Sequence, residues 1–150
     1  MASRGVASRM RGQVFIVEEP AANFTPADGN GLDTQGLEAV AFDLNVRVGG
    51  TQGDVNVTLQ HADTDVNASY AAIPDAQLEL SINEDDKLSA ERISISSGVI
   101  AIDETKIGRH YVGYRGIKRF VRAITSGTAN TPDFALSVGA SGYHMRHING

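Results

Sequence analysis

The chain has no cysteine, no tryptophan, four prolines among 150 residues and an aromatic fraction of only 6%. The missing cysteines remove disulfide frameworks, thiolate zinc sites and cysteine nucleophiles together, leaving His and carboxylates as the only good metal ligands. No apolar run approaches the ~20 residues a helix needs to cross a bilayer. The start, MASRGVASRMRG, has arginines with no continuous apolar segment behind them; it is not expected to act as a secretory signal, and synthesis in the cytoplasm is expected. Long helices are wanting too, because β-branched residues and glycine interrupt almost every window and no segment holds a 3,4 apolar spacing for three turns. Two stretches remain as candidates for short helical turns, 63–72 and Asp85–Glu91, where Asp and Ser supply N-caps.

What remains is an apolar fraction of 41% and a charged fraction of 21%, enough for one modest core and too apolar for disorder along the whole length. Its pattern has period two. Val40, Phe42, Leu44, Val46 and Val48 share one parity against Ala41, Asp43, Asn45 and Arg47, and Val55, Val57 and Leu59 resume the alternation after Gly49-Gly50-Thr51-Gln52-Gly53. The two runs read as a β-hairpin. Further strands are expected over Gln13–Val17, Leu78–Ile82, Arg92–Ser96, Val99–Asp103, His110–Tyr114, Ile117–Thr125 and Phe134–Ala140. Many short strands between Gly, Asn and Asp turns point to an all-β, two-sheet antiparallel β-sandwich, with a jelly roll the preferred member of that class. The expected organisation is a basic N-terminal arm over 1–12 and a single sandwich domain over 13–150, including a Pro/Gly-rich loop at 18–36 whose one large apolar side chain is Phe24.

The net charge of -5 conceals a division along the chain. Residues 1–11 hold Arg4, Arg9 and Arg11 with no acid; residues 12–105 hold Arg47, Lys87 and Arg92 against 17 acids; residues 106–150 hold seven basic residues against Asp133 alone. Such blocks give either a dipolar molecule, able to orient its association with neighbours, or opposite charges that intermix on folding.

Motifs for chemistry are weak. Glu84-Asp85-Asp86 is an acidic turn, and Asp63-x-Asp65-x-Asn67 has the oxygen spacing of a calcium loop, but Ala68 stands where an EF-hand needs Gly and Pro74 where it needs a bidentate Glu. Asp28-Gly29-Asn30-Gly31-Leu32-Asp33 is first a turn sequence. His144 and His147 are three apart without helix context or a certain third ligand, and His61 and His110 lie elsewhere. There is no Gly-x-Ser-x-Gly elbow, and the glycine loop at 49–53 lacks a following Lys-Ser or Lys-Thr. No enzyme signature emerges, and neither a cofactor nor a metal is expected.

The densest segment is Tyr111-Val112-Gly113-Tyr114-Arg115-Gly116-Ile117-Lys118-Arg119-Phe120-Val121-Arg122. Its aromatics interleave with basic residues as in single-strand binders, although the acidic middle of the chain would repel a polyanion. Gly113 and Gly116 suit a tight turn between strands. The run Gly113–Arg122, Gly-Tyr-x-Gly-x-Lys-Arg-Phe-Val-Arg, resembles one found in head decoration (cement, stabilisation) proteins of tailed bacteriophages. The strand Val55–His61 ending in Leu-Gln-His-Ala-Asp is similar to a step in the same proteins, and the resemblance spans roughly residues 37–140. It implies a non-enzymatic protein on the outer surface of the virion head that binds the major capsid protein lattice, bridges capsomers after shell expansion and self-associates as trimers or lattice neighbours, with no membrane and no direct nucleic acid partner. The partner-contact residues expected are Arg4, Arg9, Arg11, Arg115, Lys118, Arg119 and Arg122. Phe42, Leu44, Val57, Leu59, Phe120 and Val121 are assigned to packing, Gly113 and Gly116 to backbone geometry. Two other classes stay open: a carbohydrate or host-surface module with Tyr70, Tyr111, Tyr114 and Tyr143 as a stacking platform, and a single-stranded nucleic acid binder through Tyr111–Arg122.

Overall fold

Alternation builds the strands. In β4 (Ala39–Arg47) and β5 (Asp54–Ala62) every second residue is buried, so Val40, Phe42, Leu44 and Val46 face inward from one strand and Val55, Val57, Leu59 and His61 from the other. The computed structural model describes residues 10–16, 23–47, 53–80, 93–127 and 135–143. Arg4, Arg9, the glycine loop at 49–52, the Glu84–Asp86 acids, the helical candidate at Asp85–Glu91 and the His144/His147 pair lie outside them.

The remaining strands are β1 (Met10–Ile16), β2 (Asn23–Phe24), β3 (Leu32–Asp33), β6 (Ala71–Ala72), β7 (Leu78–Leu80), β8 (Ile95–Ser96), β9 (Val99–Asp103), β10 (Gly108–Tyr114), β11 (Phe120–Gly127) and β12 (Ala135–Tyr143). They form two antiparallel sheets, ordered β1-β12-β4-β10-β7 and β2-β11-β5-β9-β8, with β3 added to β11 and β6 to β5. The chain is an all-β sandwich. Eight of the strands form nested pairs, β4 with β12, β5 with β11, β7 with β10 and β8 with β9. The nested pairs meet through β4–β10 and β5–β9.

The core lies between the sheets and joins Phe42, Leu44 and Val46 to Val57, Leu59, Ile100, Ile102, Val112, Val121, Leu136 and Val138. Each such side chain contributes about 1.5–3 kcal/mol relative to leaving it in water. Phe42, Leu44, Val57, Leu59 and Val121 pack there as expected, whereas Phe120 is half-buried on the outer side of β11, beneath the Arg119 guanidinium at 5.0 Å.

Several expectations need correction. β4 and β5 are not a hairpin: β4 pairs with β10 and β12, β5 with β11, β9 and β6, so the two strands belong to different sheets. Two strands with one buried face each can pair side by side or face each other across a core, and alternation is the same in both cases. Residues 10–12 are not arm but the beginning of β1, paired with Tyr143, Gly142 and Ser141. The 18–36 stretch is not all loop, since β2 and β3 both add to β11. β11 starts at Phe120 rather than Ile117, and residues 115–119 are a crossing between sheets rather than a hairpin turn. Helix among the described residues is limited to 3-10 turns at Asn67–Ser69, Asp75–Gln77 and Glu104–Lys106. The turn between β8 and β9 needs left-handed backbone at Ser97 and Gly98. Asp75 holds it by accepting from both amides at 2.9 and 2.8 Å, and any Cβ on Gly98 would lie 2.8 Å from the Ile73 carbonyl.

Candidate interaction surface

Three connections converge at the end of the sandwich where β11 begins: residues 25–38, residues 63–70 and the crossing at 115–119. Phe120 pairs with both Asp33 and Ala62, which brings the first two connections to either side of the third.

The crossing is fastened at almost every residue. The Arg115 amide donates to the Gln77 carbonyl at 2.8 Å. The hydroxyl end of the Tyr114 ring lies against Gly116, so close that no Cβ fits there. The Lys118 amide donates to the Tyr114 hydroxyl at 3.2 Å, and Thr34 Oγ1 donates to the Lys118 and Arg119 carbonyls at 3.1 and 2.7 Å. Side chains continue the pattern: Arg115 pairs with Glu79 and Lys118 with Asp63, while Arg119 grips Asp33 with two hydrogen bonds of 3.1 and 2.8 Å. The guanidinium of Arg119 holds the Asp33 carboxyl below the ordinary carboxylate range, against an opposing push from partial burial. Arg11, on β1, donates to the carbonyls of Asp33 and Gln35 at 3.3 and 3.1 Å.

Beneath the crossing, His61 Nδ1 lies 2.9 Å from the Tyr114 hydroxyl, the two rings edge-on at 5.8 Å. Burial pushes the His61 imidazole below its ordinary range, and Lys118 adds to the effect while Asp63 opposes it. A neutral ring with unprotonated Nδ1 accepts from the Tyr114 hydroxyl, whose oxygen in turn accepts from Lys118.

Next to this lies an enclosed polar cluster. Arg122 is only 4% exposed; its Nε donates to Gln60 Oε1 at 2.9 Å, a terminal nitrogen donates to Asn67 Oδ1, and its guanidinium lies 3.9 Å from the centre of the Tyr70 ring. The Tyr70 hydroxyl donates to Asp65 Oδ1 at 2.7 Å, and burial together with that bond drives the phenol pKa far upward. Asp65 also accepts from the Gly31 amide, its carbonyl accepts from the Gly29 amide at 3.1 Å, and Asp28 accepts from the Asn67 amide at 2.6 Å. The 63–70 connection is thereby pinned to the 25–38 connection and roofs the outer face of β11.

These contacts sort the expected contact residues. Arg11, Lys118 and Arg119 come together at one end, and Arg115 lies beside them toward β7. Arg122 is a correction: buried under Tyr70, it cannot meet a partner as the folded protein stands. The charge blocks do not stay apart either, because every basic residue of the crossing is opposite an acid from the middle of the chain. The four-tyrosine platform is dispersed, with Tyr114 in the core, Tyr70 over Arg122, and Tyr111 and Tyr143 on the outer face of the other sheet. Asp63 and Asp65 turn to different partners, and among the described residues no group of three or more His, Asp and Glu side chains is placed to hold a metal ion. Sequence reasoning missed Ile117, which is 94% exposed: the alternation of 117–125 counts it with Val121 and Ala123, whereas the strand begins only at Phe120. No family model, curated protein or solved structure matches the chain.

Proposed function

We propose that this protein is a structural decoration module of a tailed-phage head, binding the outer face of the major capsid protein lattice and bridging capsomers of the expanded shell. The observation that carries the reading is the Gly113–Arg122 run, which resembles that of head decoration proteins and here makes up the last strand residues, the crossing and the start of β11. What supports it physically is rigidity. A shell protein acts by repeated contacts from a fixed geometry, and a crossing tied to β7, to residues 34 and 63 and to the buried Tyr114 suits that task. Arg11, Arg115, Lys118 and Arg119 remain the described residues assigned to the contact; self-association as trimers or lattice neighbours belongs to the same reading. The nucleic acid alternative is disfavoured because Arg122 and Tyr114 are buried and the other cations of the run are paired with acids.

The test is co-sedimentation of purified protein with expanded empty heads of the phage that encodes it, stripped of this protein. Saturation at a fixed number of copies per shell is expected. Absence of binding at every salt concentration would remove the capsid reading and direct attention to glycans.

A further inference from the structure

The crossing at 115–119 contains an asymmetry. Arg115, Lys118 and Arg119 are each engaged through backbone and side chain, and Gly116 is covered by the Tyr114 ring. The exception is Ile117, whose side chain points into solvent at 94% exposure. A single exposed apolar residue is ordinary on a protein surface. Here it is presented by a backbone held on both sides, so the ordering that a partner would otherwise have to impose is already complete in the free protein.

We infer that Ile117 is the anchor by which this end of the sandwich docks into a small apolar socket on the capsid subunit; the inference rests on the capsid reading above. The occupant's chemistry follows from the surroundings. A branched aliphatic side chain has no face on which a base or a sugar ring can stack, which removes the usual means of gripping single-stranded nucleic acid or glycan. The flanking cations are neutralised by Glu79, Asp63 and Asp33, so the rim offers little net attraction to a polyanion or an anionic bilayer. An apolar knob inside a ring of mutually satisfied charges matches the anatomy of a protein contact, with a dry centre and a polar rim that excludes water. The ion pairs hold the crossing in place, and Ile117 supplies the affinity.

The test is the same head co-sedimentation, with four variants of the full chain. Ile117→Asp is expected to raise the concentration for half-saturation about 30-fold or more, as loss of a buried anchor does, and Ile117→Ser about tenfold. Ile117→Val, which keeps the branched shape, is expected to stay within about threefold. Val14→Asp, at an exposed apolar site on β1, is expected to bind as the parent does. Because Ile117 packs against nothing, all three of its variants should melt with the parent. If Ile117→Asp and Ile117→Ser saturate heads at the parent concentration, the anchor assignment is overturned and the capsid reading stands. Failure of the parent itself to bind heads overturns both. Loss of binding in Val14→Asp with retention in Ile117→Asp would move the contact to β1 and overturn the assignment.

Discussion

The outer faces of the two sheets differ in what covers them. Across the β1-β12-β4-β10-β7 sheet, Gly12, Ser141, Ala41, Gly113 and Glu79 lie side by side on the outward side and form a flat row of small residues closed by one carboxylate. Nothing among the described residues is folded over it. On the other sheet the corresponding outward positions at the β5–β11 end, Gln60 and Arg122, lie under the 63–70 connection, with Tyr70 against the guanidinium. The same alternation that places apolar residues inside therefore yields an open face in one sheet and a second, polar interior in the other. An arginine on the outward side of a strand is exposed only if the chain does not return across it.

The sharpest way to break this contrast is to remove the residue under the roof. Arg122→Leu leaves Gln60, Asn67 and the Tyr70 ring without their cation in an enclosed place, and is expected to cost about 2–3 kcal/mol in urea unfolding. Arg122→Lys should recover little, because one ammonium cannot reach Gln60 and Asn67 while keeping a planar group against Tyr70. A cost under about 0.5 kcal/mol for the leucine variant would show that the roof contributes nothing to stability. Tyr70→Phe is milder. It keeps the ring against Arg122 and deletes the bond to Asp65, so a loss of about 1 kcal/mol is expected, with the 25–38 amides exchanging faster with solvent because Asp65 is what holds Gly31.

Acid should act on the border between the roof and the crossing. The folded state lowers the pKa of His61 below its ordinary value of 6.5, so the unfolded chain binds its proton more readily. The stability contributed by neutral His61 is complete above about pH 6.5, falls as pH drops below that value, and levels off once pH is below the folded-state pKa. The cost of His61→Gln, measured by urea unfolding, should accordingly be larger at pH 8 than at pH 5. An equal cost at both would mean that the imidazole is not protonated differently in the two states.

The strands were largely legible in the sequence. Period-two runs located β4, β5, β9, β10 and β12 to within a few residues, because burial on one side leaves a plain imprint on a strand. What alternation omits is which strand lies beside which, and β4 and β5 were misjoined for that reason. β2, β3 and β6 are two residues each, too short to show any period. The candidate surface was legible only as a composition. Arg115, Lys118 and Arg119 were recognised as a basic cluster, yet their acids lie 36, 55 and 86 residues away in sequence, a pairing that only topology supplies. Arg122 was misplaced because nothing in its own strand records the return of residues 63–70 above it, and Ile117 was overlooked because it was counted into the strand that follows.

The open face offers the smallest expected effect and the cleanest check on the proposed docking through the crossing. Ser141 is exposed between Gly12 on β1 and Ala41 on β4, neighbours too small to crowd a longer side chain. Ser141→Lys should change stability by no more than about 0.5 kcal/mol. It would nonetheless plant a flexible cation in the middle of the flat row, where any closely fitted partner would have to accommodate or exclude it. If the crossing and not this face meets the capsid, Ser141→Lys should saturate heads at the parent concentration. A loss of tenfold or more, with the melting temperature unchanged, would instead make the row of small residues the docking face and leave the fastened crossing a feature of stability alone.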